Sequence, residues 1–167
     1  MAQAPAPVRS VPAVDLDRYL GKWHEVARLP NTFQKKCARE TVAEYSRYPD
    51  GDIRVVNTCR KTDGSLTRAE GRARLAKRDG TTSQLKVRFA PAWLSVLPMV
   101  WGDYWVLALE PDYSAALVGT PDRQYLWILT RTPTPDAAVL QRMEQAAESQ
   151  GFDLTRLLRA SMPAAGP

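Results

Sequence analysis

Apolar and polar residues alternate between residues 22 and 131, and turn-forming residues interrupt the alternation at short, regular intervals. Alternation of this kind gives an extended segment one dry and one wet face, as in a half-buried β-strand. Turn sequences such as Asp63-Gly64 and Asp79-Gly80 separate most of the segments. The pattern predicts strands at 23–29, 40–47, 53–59, 66–76, 84–90, 104–109, 115–120 and 125–130. Eight strands with short connections favour an all-β fold, an eight-stranded antiparallel up-and-down barrel.

A single C-terminal α-helix follows the strands. Thr134 can cap it, Pro135 suits its first position, and Gly151 suits its end. Its apolar stripe comprises Val139, Leu140, Met143, Ala146 and Ala147. Strands 104–109 and 125–129 are apolar on both faces, so we expect the helix to cover them from outside the barrel. A two-sheet sandwich has the same alternation, but the single late helix and the short turns favour the barrel.

Composition and charge exclude several classes of protein. With 167 residues, of which 44% are hydrophobic, the chain suits one globular domain, predicted at 13–160. Residues 1–12 are rich in Ala and Pro and predict a flexible leader left after signal removal, and 161–167 form a tail. The net charge of +5 comes from scattered basic residues. The scatter argues against a nucleic-acid partner, and the positive net charge is better explained by attraction to an anionic membrane surface.

Three stretches in order resemble the signature motifs of the lipocalin family. The first contains Gly21 and Trp23, the second contains Asp112 and Tyr113 after the sixth strand, and the third ends near Arg131. The resemblance is nearest to the bacterial outer-membrane members and to apolipoprotein D. It implies that Trp23 plugs the closed end of the barrel, with the Arg131 guanidinium stacked on its ring. These signature residues are then structural.

The two cysteines fall at the open end of such a barrel, where its odd-numbered connections meet. Cys37 precedes the second strand and Cys59 ends the third, and antiparallel neighbours easily reach disulfide distance. We therefore predict a bridge between them, the alternative being two buried thiols. A bridge implies an oxidising compartment. Together with the resemblance, it predicts either the periplasm or a lipid-anchored position on the periplasmic face of the bacterial outer membrane.

Within the fifth connection, residues 91–103, the segment 91–101 is apolar and carries no charge. A loop of this composition must cover something or contact something apolar. We expect it either to fold over the barrel mouth as a lid or to contact a membrane or a partner. The residues predicted to make this contact are Trp93, Leu94, Leu97 and Trp101.

The inward-facing positions of the strands predict the ligand site. An apolar cavity with a few hydroxyl and amide groups suits a fatty acid or a lysophospholipid. Arg60, Lys61 or Arg88 could meet an acidic head group at the rim. The predicted ligand-binding residues are Tyr45, Val55, Asn57, Val87, Phe89, Tyr104, Val106, Trp127 and Leu129, and Ala108 shares their parity. Four of these, Tyr45, Asn57, Phe89 and Trp127, match ligand-contacting positions implied by the resemblance.

No sequence motif points to catalysis, a cofactor or a metal. The sole histidine, His24, has no cysteine or histidine at ligand spacing, and Glu25 is expected to be a buried carboxylate bonded to the barrel floor. We predict a binding and carrying protein. The alternatives are an isomerase-like enzyme on the same barrel and an envelope protein that binds a protein partner. Whether the chain is a monomer or a homodimer is left open.

Overall fold

The computed structural model describes residues 6–31, 34, 36–89 and 101–160. Within this part of the chain, a short helix and a longer one accompany nine strands. In chain order they are α1 (Leu16–Tyr19), β1 (Gly21–Arg28), β2 (Arg39–Arg47), β3 (Ile53–Arg60), β4 (Leu66–Leu75), β5 (Gln84–Phe89), β6 (Gly102–Leu109), β7 (Ala115–Gly119), β8 (Leu126–Thr130), α2 (Ala137–Ser149) and β9 (Leu158–Arg159).

The first eight strands form a closed antiparallel barrel, which confirms the predicted fold. Strands β2 to β8 pair in sequence order, and β1 pairs with β2 over Gly21–His24 and with β8 over His24–Arg28. The short strand β9 adds to the free edge of β1 at Ala27 and Arg28. Helix α1 precedes β1, and its Tyr19 is buried in the core inside the barrel, so the closed end lies at the start of β1 and the mouth lies where β1 ends.

Two apolar cores form on either side of the barrel wall. The inner core includes Trp23, Tyr45, Val55, Val106 and Leu129. The outer core lies between the wall and α2, and it includes Leu107, Leu117, Ile128, Met143, Ala147 and Phe152. All five residues of β7 are buried because the helix covers their outer face. The outside position of the helix was predicted, and the structure confirms it.

Helix α2 begins later than the sequence predicts. Asp136 is its N-cap residue in an extended conformation, so Thr134 and Pro135 precede the helix instead of starting it. The predicted apolar stripe does face the barrel, with Met143 and Ala147 buried. Gly151 has a φ of +86°, a conformation suited to the residue that follows a helix end. Neither helix of the described residues has the length and apolar character needed to span a membrane.

Residues 6–12 pack against the barrel, in contrast to the flexible leader that their composition predicts. Val8 is buried in the outer core. The Val11 amide donates to the Val106 carbonyl oxygen at 2.9 Å, and the Gln150 side chain bonds the backbone N–H and carbonyl of Arg9. The composition of this segment could not reveal these long-range contacts.

Candidate binding site inside the barrel

The floor of the barrel is built around Trp23. Its side chain is completely buried, and its indole N–H donates to the Tyr19 carbonyl oxygen at 2.8 Å. The Arg131 guanidinium lies 3.8 Å from the ring centroid, as predicted. All three nitrogens of that guanidinium donate to backbone carbonyls, those of Arg18, Lys22 and Tyr113. Because each nitrogen is bonded to a different part of the backbone, the arginine holds the floor together.

The other signature residues support this floor. Gly21 has a φ of +103°, and a Cβ there would approach within 3.3 Å of Arg131, so a side chain would strain the backbone and crowd the guanidinium. The Tyr113 hydroxyl accepts a hydrogen bond from the Asp15 amide at 2.8 Å. Asp112 accepts from the Ser114 amide in the turn before β7. The structural role expected for these residues agrees with their contacts.

Three tyrosine hydroxyls form a chain next to the floor. The Tyr104 hydroxyl lies 2.8 Å from that of Tyr19 and 2.8 Å from that of Tyr45. Burial raises the pKa of all three phenols above the ordinary value of 10.0, so the hydroxyls keep their protons at neutral pH. They are the polar part of an otherwise apolar cavity of about 10 Å³, whose remaining lining is Ile53, Ala73, Leu85 and Val87.

The structure places the predicted ligand-binding residues on the inner face of the barrel. Tyr45, Val55, Val106 and Leu129 belong to the inner core, and Val87, Tyr104 and Trp127 pack against it. Asn57 pairs in register with inward-facing Ala43. The Phe89 ring lies against Gly71, where a Cβ would come within 2.7 Å of it, and remains 40% exposed. Contact of these nine residues with a ligand stays a prediction.

Ala108 is the one inward assignment that the structure overturns. The register of β6 against β7 shifts between Val106 and Ala108, which indicates a β-bulge. As a result, Leu107 and Ala108 both contact the outer core, while Leu109 packs against the inner one. One extra residue in a strand reverses the faces of those that follow it.

A second bulge places an ion pair at the mouth side of the interior. The register of β1 against β8 shifts between Glu25 and Ala27, so Val26 and Ala27 both join the outer core. Arg28 consequently shares the inner side with Glu25 and donates to its carboxylate at 3.0 Å. The two side chains are only 14% and 7% exposed. The sequence pattern did not single out Arg28, although two adjacent apolar residues in an alternating strand are a signal for a bulge.

Gln34 connects this ion pair to Trp127. Its side-chain amide donates to Glu25 at 2.9 Å, and its amide oxygen accepts from the Trp127 indole N–H at 3.0 Å. Burial raises the pKa of Glu25, and the hydrogen bonds and charge supplied by Gln34 and Arg28 partly oppose that shift. Glu25 is therefore buried as expected, but it is bonded to the mouth loop and not to the floor.

The predicted disulfide closes the rim near this polar layer. Cys37 and Cys59 are bonded, with their Cα atoms 5.4 Å apart, and Arg28 Nη2 donates to the Cys37 carbonyl oxygen. Among the predicted rim cations, Arg60 pairs with Glu40 at 2.5 Å. Arg88 points outward over the Trp101 ring, and Lys61 is exposed. Arg28, which the rim prediction did not include, is a cation on the inner side of the barrel at this level.

Of the residues predicted to contact a membrane, Trp93, Leu94 and Leu97 lie outside the described residues. Trp101 lies on the outer wall, with the guanidinium carbons of Arg74 and Arg88 at 4.1 and 5.6 Å from its ring centroid. Within the described part of the chain, neither guanidinium pairs with a carboxylate. This part of the wall therefore combines an aromatic ring with two uncompensated positive charges.

Comparison with known proteins gives a consistent match over nearly the whole chain. A family model described as a lipocalin-like domain matches residues 14–162. The chain is 39% identical over 148 residues to temperature-induced lipocalin-1 of Arabidopsis thaliana, covering 88% of this chain and 78% of that protein. It is 38% identical over 164 residues to the outer membrane lipoprotein Blc of Escherichia coli (strain K12), covering 96% and 88%.

More distant similarities agree with this match. Apolipoprotein D of Rattus norvegicus is 29% identical over 151 residues, with 86% of this chain and 74% of that protein covered. Among solved structures, insecticyanin from the tobacco hornworm Manduca sexta superposes with a TM-score of 0.75 at 21% identity, covering 99% and 89%. At that identity the likeness concerns the fold.

Proposed function

The chain belongs to the lipocalin family, whose members bind small hydrophobic ligands, and we propose that it binds and carries a single-chain lipid. The proposed ligand is a fatty acid or a lysophospholipid, held in the barrel with its tail toward the floor and its polar end toward the mouth.

The observation that carries the proposal is the layering of the barrel interior. Near the closed end, the apolar side chains of Ile53, Leu85 and Val87 line one cavity together with the three tyrosines. The polar layer of Glu25, Arg28 and Gln34 lies toward the mouth. A lipid with one long apolar tail and one polar end matches this order. The deep cavity is narrow, about 10 Å³, so a linear chain requires less movement of the wall than a rigid ring system.

A titration of the delipidated protein tests the proposal. We expect oleate or its lysophospholipid to change the tryptophan fluorescence in a saturable manner, with one ligand per chain. Trp127 lies on the inner face and bonds Gln34, so its environment should change when a ligand enters. The response should therefore be lost in Trp127→Phe.

Trp105→Phe is the matched control for this titration. Trp105 packs against the outer core under the helix, so its replacement should leave the fluorescence response intact. The absence of saturable binding by either lipid would contradict the proposal. A response lost equally in both variants would contradict the assignment of the signal to Trp127 inside the barrel.

The proposed setting is the bacterial envelope, where the protein would exchange its lipid at a membrane. Supporting this setting are the similarity to outer membrane lipoproteins and the Cys37–Cys59 disulfide, which suits an oxidising compartment. The cluster of Trp101, Arg74 and Arg88 on the outer wall suits an anionic lipid surface, because arginines attract the head groups and tryptophan favours the interface.

Membrane contact can be measured with vesicles. We expect Trp93→Asp combined with Trp101→Asp to lower partitioning onto vesicles containing anionic phospholipid, because two aromatic anchors are lost and two negative charges are added. Affinity for the soluble ligand should stay unchanged, which serves as the internal control. Equal partitioning of the parent and the double variant would exclude this membrane surface.

A further inference from the structure

The bulge in β1 brings a charged group into the barrel that regular strand alternation would have kept outside. Trp23 and Glu25 face inward, and uninterrupted alternation would turn Ala27 inward and Arg28 outward. The register shift reverses this order, so Ala27 lies in the outer core and Arg28 pairs opposite inner-face Trp127. The guanidinium therefore lies at the level where the apolar interior meets the mouth.

The hydrogen bonds of Arg28 leave one of its three guanidinium nitrogens without a partner. Nη1 donates to Glu25, while Nη2 reaches the carbonyl oxygens of Gln34 at 3.3 Å and Cys37 at 3.2 Å. Nε is buried and has no hydrogen-bond partner among the described residues. A buried N–H on a charged group that lacks an acceptor is costly and rare in folded proteins. An acceptor supplied by a ligand would remove that cost.

The charge around this donor determines which acceptor suits it. Glu25 neutralises Arg28, and Gln34 adds no charge, so the polar layer has no net positive charge to attract an anion. A ligand carboxylate hydrogen-bonded to Nε would also lie close to the Glu25 carboxylate and be repelled by it. A neutral carbonyl oxygen accepts the same hydrogen bond without this repulsion.

We propose that Arg28 Nε donates a hydrogen bond to the ester carbonyl of a bound monoacyl lipid, so that the barrel selects acyl esters over ether lipids and free fatty acids. This proposal rests on the proposed function and specifies the ligand class within it. The ester stands at the junction between tail and head group, as Arg28 stands at the junction between the apolar layer and the mouth. The tail then occupies the apolar interior, and the head group extends into the mouth.

Two lipids that differ only in the ester carbonyl test the proposal. We would measure the affinities of the delipidated protein for 1-oleoyl-lysophosphatidylcholine and for its 1-O-octadecenyl ether analogue, below their micellar concentrations. The expected result is ester binding roughly tenfold tighter than ether binding, the scale of one hydrogen bond from a charged donor. Oleate at neutral pH should also bind more weakly than the ester.

Arg28→Lys assigns the preference to the guanidinium. Lysine keeps a positive charge beside Glu25 but has no Nε–H group, so the variant should bind both lipids with nearly the affinity that the parent has for the ether. Arg54→Lys is the matched control, because Arg54 pairs with Glu70 on the outer wall, and it should keep the parent's preference.

The possible outcomes separate this proposal from the proposed function. Saturable binding of both lipids with equal affinity would overturn the role of Arg28 and leave lipid binding established. A preference that persists in Arg28→Lys would assign it to another donor and would also overturn the proposal. If neither lipid bound the parent, the proposed function itself would fail. If the lysine variant did not fold, the ester–ether comparison on the parent would still test the predicted preference, and equal affinities would overturn the proposal.

Discussion

Trp23→Ala is expected to lower the free energy of unfolding by about 3–5 kcal/mol, as removal of a buried tryptophan from a packed core usually does. The indole is fully buried, donates to the Tyr19 carbonyl oxygen and supports the Arg131 guanidinium at 3.8 Å. Its removal leaves a cavity at the floor and exposes one face of a cation. The melting temperature should fall on the order of 10 °C, measurable by circular dichroism.

The matched control for this truncation is Trp101→Ala. It deletes the same side chain from the outer wall, where the ring contacts arginines and is not part of either core. The expected cost is about 1 kcal/mol or less, the scale of a cation–π contact at the surface. If Trp23→Ala melted within a degree or two of the parent, the floor would not depend on this side chain.

Arg28→Met should have a similarly large effect at neutral pH, with a loss of about 3–5 kcal/mol, because it leaves the Glu25 carboxylate buried without its cation. Glu25→Gln should cost much less. Burial raises the pKa of Glu25 because it penalises the charged form, and glutamine avoids this penalty because it is uncharged at every pH. The double variant should recover most of the stability lost in Arg28→Met, which denaturant unfolding would measure.

The loss of folding stability in Arg28→Met should become smaller as the pH falls. Because the folded-state pKa of Glu25 lies above its ordinary value of 4.5, the folded protein binds this proton more tightly than the unfolded chain does. The stabilisation from protonated Glu25 is complete below pH 4.5 and is lost as the pH rises through the folded-state pKa. Arg28→Met should therefore regain stability on acidification.

The stability difference between Arg28→Met and the double variant isolates this titration, because their other carboxylates are the same. The difference should be largest at neutral pH and should shrink toward pH 4.5. Arg28→Met and Glu25→Gln should not lose equal stability at neutral pH, because the prediction is that Glu25 needs Arg28 more than Arg28 needs Glu25. Equal losses would contradict it, and so would a stability difference that does not change with pH.

Strand alternation predicted the barrel and most of its interior because the regular strands keep one face dry. In β3, for example, Ile53 and Val55 are buried while Arg54 between them faces outward to Glu70. The floor was predicted for a different reason, because the family resemblance implied that Arg131 stacks on Trp23 although the two residues are far apart in sequence.

The errors arise where the alternation changes phase or where contacts are distant in sequence. The bulges after Glu25 and Val106 reverse the faces of the residues that follow, which moved Ala108 outward and brought Arg28 inward. The packing of residues 6–12 on the barrel includes hydrogen bonds between Arg9 and Gln150, which are 141 positions apart. Helix α2 starts at Ala137 because the backbone of Asp136 is extended. The sequence predicted an earlier start because Thr134 is also a favourable N-cap residue.

The three tyrosine hydroxyls next to the floor have more protons than the hydrogen bonds between them use. Tyr19, Tyr45 and Tyr104 carry three O–H groups but share two hydrogen bonds, so one donor is always left over. The protons can be arranged in three ways, each leaving a different hydroxyl as the free donor, with no movement of carbon or oxygen. The bottom of the barrel can thus offer a hydrogen bond from any of three directions to one small acceptor, at the cost of rotating hydroxyl groups alone.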